Sequence, residues 1–82
     1  MSIILENKEF IKSFRKGLIE KNEDGTYSIF GWEPFVQMNV WIAFYHPMRN
    51  EVRPCHGYFA PHKHGKNLQK KCAKFGIIFN NN

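Results

Sequence analysis

Between Lys63 and Lys74 the sequence reads Lys-His-Gly-Lys-Asn-Leu-Gln-Lys-Lys-Cys-Ala-Lys, five lysines in twelve residues with no acid among them. On a helix, Lys70 and Lys74 stand one turn apart with Lys71 beside them, opposite an apolar stripe of Leu68, Cys72 and Phe75. Phosphate oxygens are natural ligands of such ammonium groups, and each neutralised phosphate adds salt-sensitive affinity through counterion release. The same pattern suits a solvated helix face with lysines near the negative end of the helix dipole. The rest of the chain weighs on the choice: Val52–Asn82 carries six basic residues and no acid, whereas Met1–Glu51 carries six basic and seven acidic. The expected interface is therefore with a polyanion, RNA or another nucleic acid, through Lys63, Lys66, Lys70, Lys71 and Lys74, with Lys12 and Arg15 extending the footprint.

Imidazoles and thiols are the other reactive groups. Metal-free RNA cleavage needs a base for the 2′-hydroxyl and an acid for the leaving oxygen, and imidazole titrates in the right range. His46 and His56, expected to face each other across a hairpin, are the candidate catalytic pair; His62 and His64 suit hydrogen bonding to phosphate or exposed loop positions. Cys55, His56, His62, His64 and Cys72 fall within eighteen residues, but their spacing is that of no zinc site, and Cys72 belongs to the apolar stripe. We expect buried free thiols, no metal and no cofactor. Trp41, Tyr45 and Tyr58 suit stacking on unpaired bases, or filling a second sheet face or a protein contact.

The elements that must position these groups follow from periodicity. Phe10, Ile11, Phe14 and Leu18 mark one face of a helix over Asn7–Lys21, with Asn7 as N-cap and Gly17 as a weak point. Asn22–Gly25 is a turn. Val36, Met38, Val40, Ile42 and Phe44 alternate with Gln37, Asn39, Trp41, Ala43 and Tyr45, which predicts a long strand with the first set facing the core. Val52–Ala60 is expected to return antiparallel, edged or bulged by Pro54 and Gly57. Pro61–Lys66 reads as a loop, and Asn67 as the cap of a short helix over Leu68–Phe75, closed by Gly76 in a left-handed conformation with Ile77 packing behind it. The fold class is α+β: one small basic domain over 1–82, in the order helix, three antiparallel strands, helix, with both helices on one face of the sheet and 79–82 frayed.

Size and composition exclude larger designs. Eighty-two residues, 43% hydrophobic and 16% aromatic, build one compact core, since a chain of this length buries only about 60% of its unfolded surface. Formal net charge is +5. The start lacks the basic and apolar regions of a signal peptide, no apolar run reaches the roughly 18 residues of a membrane span, and two cysteines do not make a disulfide scaffold. These features predict a cytoplasmic protein with reduced thiols and no membrane partner.

Two families share local features with the chain. Lys70-Lys71-Cys72-Ala73-Lys74, with Gly65 five positions ahead, resembles the Lys-Lys-x-Ala-Lys start of the second helix in double-stranded-RNA-binding domains. That resemblance implies the helix, three strands, helix order, with Lys70, Lys71 and Lys74 reaching phosphates across a groove and the first helix as a second contact region. The loop between the first two strands departs from the family, having Gly31-Trp32-Glu33-Pro34 in place of Gly-Pro-x-His. Gly31-Trp32 followed by Phe44-Tyr45-His46-Pro47 resembles a segment of HicA-type toxins, small RNases on the same double-stranded-RNA-binding-like fold. Pro61-His62-Lys63-His64-Gly65-Lys66-Asn67-Leu68 and Gly76-Ile77 resemble the pattern around their second helix. In those toxins a Gly-Ser-His triplet supplies the catalytic imidazole; Asn39-Val40-Trp41 stands in its place here, and indole cannot shuttle a proton at neutral pH. The resemblance implies a scaffold without its usual base, a microbial or phage setting and an acidic antitoxin-like partner. Its alignment also breaks the long strand near Asn39. Two alternatives stay open: a phage-type anti-defence inhibitor that binds a nucleic-acid-handling host protein, and a HicA-like RNase with a relocated catalytic histidine.

Overall fold

A computed structural model describes residues 6–58 and 62–81. In chain order it contains helix α1 (Lys8–Lys12), strands β1 (Ile19–Lys21), β2 (Tyr27–Glu33) and β3 (Met38–His46), a 3₁₀ turn (Pro47–Arg49), strand β4 (Glu51–Pro54), helix α2 (Lys63–Phe75) and strand β5 (Ile78–Phe79). The sheet runs β1-β2-β3-β4-β5, antiparallel except for the parallel β4–β5 pair. The α+β class is as expected; five strands in a mixed sheet replace the expected three.

One additional strand, β1, comes from a segment that periodicity assigned to the first helix; the other, β5, reaches into the expected frayed end. Asn7 caps α1 as expected, its side chain accepting from the Phe10 amide, but the helix stops at Lys12 rather than Lys21. The Ser13 hydroxyl donates to the Phe10 carbonyl at 2.6 Å, and Gly17 has φ +90°, outside the helical basin. The chain is thereby turned so that Ile19–Lys21 pairs with Tyr27–Ile29 as β1. Asp24 holds the connecting turn by accepting from the Thr26 amide and hydroxyl. At the other end, Phe79 pairs with Val52 in β5 and the Asn80 amide donates to the Val52 carbonyl, so the first residues of the expected frayed end are held.

The central correction lies in β3. Ile29 pairs with Ala43 but the next residue, Phe30, pairs with Trp41, leaving Ile42 as an extra residue. One inserted residue reverses which side chains face the core. Ile42, Ala43 and Tyr45 are buried, whereas Phe44, expected inside, is only half-buried. The expected return strand is short: β4 ends at Pro54, and Phe59–Pro61 lie outside the described residues.

Helix α2 starts five residues earlier than expected, at Lys63, and its cap is His62 rather than Asn67, its Nδ1 accepting from the His64 amide at 3.1 Å. Gly76 ends it at φ +71°, the expected left-handed closure, with Ile77 buried behind it. One core takes side chains from both helices and the sheet. Phe10 packs edge-on against Phe14, Tyr45 and Phe75, and Tyr45 also lies beside Tyr27. The Tyr45 hydroxyl accepts from the Asn7 amide at 3.0 Å, and the Asn7 side chain donates to the Phe75 carbonyl. One polar residue thus joins the start of α1 to β3 and the end of α2.

Burial, reinforced by donation of its hydroxyl to Glu6, pushes the Tyr27 phenol up to about 12, and burial also raises Tyr45. A raised folded-state pKa gives stability that is intact below the unfolded phenol's value near 10 and is lost as pH rises toward 12. Denaturant titrations across pH 9–12 are expected to show that decline. Tyr27→Phe should make it shallower, with Tyr45, Cys72 and Cys55, which burial also raises, contributing to the remainder.

Candidate nucleic-acid interface

Successive residues of a helix are turned by about 100°, so Lys63, Lys66, Lys70 and Lys74 of α2 fall within an arc of about 80°. All four are exposed, opposite buried Gly65, Leu68 and Cys72. The stripe is about 16 Å long at 1.5 Å per residue. No acid occurs on the helix, and Lys63 and Lys66 stand in its first turn, where cations oppose the macrodipole. These residues do not improve the helix; their grouping suits an external polyanion.

Lys71 stands apart from this stripe. Its ammonium donates to the carbonyl and hydroxyl of Ser13 and lies 4.2 Å from the centroid of the Phe14 ring. It satisfies a carbonyl at the end of α1, a fixed structural use that differs from the phosphate contact expected for it. Burial, with Lys74 nearby, lowers its pKa. Lys12 and Arg15 are exposed and adjoin in sequence the Ser13–Phe14 pair that Lys71 touches.

Beside the stripe is an apolar cup of about 210 Å³, walled by Phe14, Leu18, Phe30, Trp32, Ile42 and Leu68, with Asn67, Lys71 and His64 among its polar members. Its position follows from a close approach. A Cβ on Gly31 would lie 2.7 Å from His64 Cε1 and 2.8 Å from Nδ1, so only glycine lets this ring lie against β2. His64 Nε2 meets Glu33 Oε1 at 3.1 Å. With Nε2 on the Glu33 carboxylate and its ring packed against Gly31, His64 clamps α2 to the sheet. His62 stacks on His64 with ring centroids 5.6 Å apart, and Tyr58 is edge-on to His62 at 5.1 Å. Because His62 Nδ1 accepts the cap hydrogen bond, the ring N–H lies on Nε2, a donor facing solvent.

The expected catalytic pair is not brought together. His46 is opposite Glu51 in the β3–β4 ladder, whereas His56 follows Cys55, whose amide bonds to Ile42 at the far end. Four residues of strand separate the two ends, roughly 13 Å. Trp41 and Phe44 pack at 4.4 Å, and the indole N–H donates to the Ala43 carbonyl. Both lie on the sheet face away from α2, and Tyr45 is wholly buried. Of the three aromatics expected beside the lysines, Tyr45 meets α2 only from within the core, and Tyr58, half-buried beside His62 and His64, lies at the start of the helix. Among the described residues no group of three His, Cys, Asp or Glu side chains is placed to hold a metal, and no helix is long and apolar enough to cross a membrane.

No family model, curated protein or solved structure matches this chain.

Sequence reasoning missed Glu33 and the clamp on His64, although a glycine within a strand signals close approach of another group. Gly31→Ala is expected to cost about 1–3 kcal/mol by overpacking, and Gly31→Ala with His64→Ala to cost less than the sum of the single changes, as measured in a chemical-denaturation cycle. Burial pushes the Cys72 thiol up to about 12 and raises that of half-buried Cys55. At pH 8 a thiol reagent should therefore label Cys55 well before Cys72, as read by mass spectrometry of the native protein.

Proposed function

We propose that this domain is a small RNA-binding protein that takes phosphates on the stripe formed by Lys63, Lys66, Lys70 and Lys74. The observation that carries this reading is the grouping of four exposed lysines on one face of an acid-free helix, two of them at the dipole end that disfavours cations. His62 adds an Nε2–H donor at the start of the stripe, and Lys12 and Arg15 extend it toward α1. The double-stranded-RNA-binding-like and HicA-like resemblances imply a helix, three strands, helix order, from which the chain departs by β1, β5 and a mixed sheet. Those resemblances imply a microbial or phage setting. On this reading RNA is bound and not cut, because Trp41 stands where the toxins have their imidazole and His46 and His56 stand at opposite ends of the β3–β4 pairing.

A second reading rests on a different surface. The β2–β3 hairpin exposes Trp32, Phe35, Val36, Met38 and Trp41, with Phe35 98% exposed at its turn. Such a patch suits a protein partner, an antitoxin-like chain or a host nucleic-acid-handling protein, as the inhibitor reading requires.

With about four phosphates neutralised, log affinity for RNA should fall against log salt with a slope of roughly −3 to −4. Lys66→Glu, Lys70→Glu and Lys74→Glu combined should abolish binding without unfolding the protein, whereas Lys71→Met should lower stability and leave the slope unchanged. Labelled RNA should remain intact throughout. A flat salt response removes the RNA reading; cleavage that persists on stringent purification and is lost in His46→Ala or His56→Ala replaces it with the nuclease.

A further inference from the structure

We propose that the apolar cup beside α2 receives one unpaired nucleobase, so that the domain prefers single-stranded or bulged RNA to a continuous duplex. The inference rests on reading the lysine stripe as the phosphate contact and identifies the form of RNA that it holds.

The cup and the stripe belong to the same helix. Leu68 supplies part of the cup wall and Asn67 part of its polar boundary, while Lys66, next to Asn67, and Lys70, two residues beyond Leu68, stand on the stripe. A ligand that fills both must join an apolar ring to a chain of phosphates, and a nucleotide strand has that composition. Size restricts the occupant further. At about 210 Å³ the cup is below the roughly 300–1,000 Å³ of pockets for drug-sized ligands, and a single planar base is in proportion to it. Trp32, half-exposed, provides a stacking surface.

Polar groups placed to read the edge of a base are also present. The Asn67 amide offers both a donor and an acceptor. The Phe30 amide points toward the β1 side of the sheet, where it donates to the Leu18 carbonyl. By strand alternation the main-chain N–H and C=O of Trp32 point to the same side. Pairing with β1 ends at Ile29, so the Trp32 groups face the edge of the sheet at the cup. A base held in a duplex presents neither a free π-face nor its Watson–Crick edge; an unpaired base presents both.

The test compares two RNAs of about ten nucleotides with equal numbers of phosphates, one carrying bases and the other abasic throughout, together with a perfectly paired duplex. Binding is measured by anisotropy, and in a Trp41→Phe background Trp32 fluorescence reports contact with the cup. The base-bearing single strand should bind roughly tenfold more tightly than the abasic strand, bind more tightly than the duplex, and quench Trp32. Trp32→Ala should remove most of the advantage without altering the salt slope. Asn67→Ala, an exposed helix position that preserves the fold, should reduce it. Equal affinity for the base-bearing and abasic strands, or quenching by both, overturns the cup proposal while leaving the phosphate reading in place. Failure of every RNA to bind at low salt overturns both.

Discussion

The extra residue at Ile42 decides what each surface of the sheet becomes. Without it, strict alternation would place Phe44 in the core and Tyr45 outside. With it, Ala43 and Tyr45 face the helices, and Ile42 turns inward to help wall the cup. A buried tyrosine at that position is stable only if its hydroxyl is satisfied, and the Asn7 amide satisfies it. Asn7 also caps α1 and reaches the last turn of α2, so one irregularity in β3 is coupled to the placement of both helices.

Gly31 and His64 make the second constraint, at the other end of α2. The imidazole lies where a side chain on β2 would otherwise be, and Glu33 holds its far nitrogen. With the start of α2 clamped here and its middle tied to Ser13 by Lys71, the helix has little freedom to roll. The lysine stripe therefore has a fixed direction, away from the sheet. Two of those lysines weaken the first turn of the helix electrostatically, and the clamp offsets that by anchoring the turn through packing and hydrogen bonding.

Local signals were legible in the sequence wherever one residue decides the conformation. Asn7 as a cap, Gly76 as a left-handed terminus and Cys72 as a core thiol were each readable from residue type and position. Periodicity failed where tertiary geometry overrode it. The apolar spacing from Phe10 to Leu18 continues past Ser13 and Gly17, but those two residues end the helix, and Leu18 is delivered to the cup instead. Alternation along β3 carried no mark of the bulge, because Val40, Ile42 and Phe44 are all apolar and fit an uninterrupted strand equally well. The cap on α2 was obscured for a different reason: imidazole is an uncommon N-cap, so His62 read as a loop residue and Asn67 as the start of the helix. The lysines themselves were plain in the sequence. Separating Lys71 from the other four required knowing that the end of α1 lies beneath it.

The lysine stripe and the exposed hairpin aromatics belong to opposite sides of the molecule, because α2 covers the sheet face that Trp41 and Phe44 do not occupy. A strand of RNA held on α2 therefore leaves the Trp41 side uncovered, and a protein seated on Trp41 and Phe44 leaves the stripe open. Trp32 is the exception. It lies at the sheet edge, half-exposed, contributing both to the cup and to the hairpin's apolar surface. Competition between a bound base and a protein partner would therefore be concentrated at this one indole, whereas the phosphate contacts along α2 would persist. Any coupling between the two kinds of partner would then act on the preference for unpaired bases far more than on the electrostatic attraction that brings RNA to the surface.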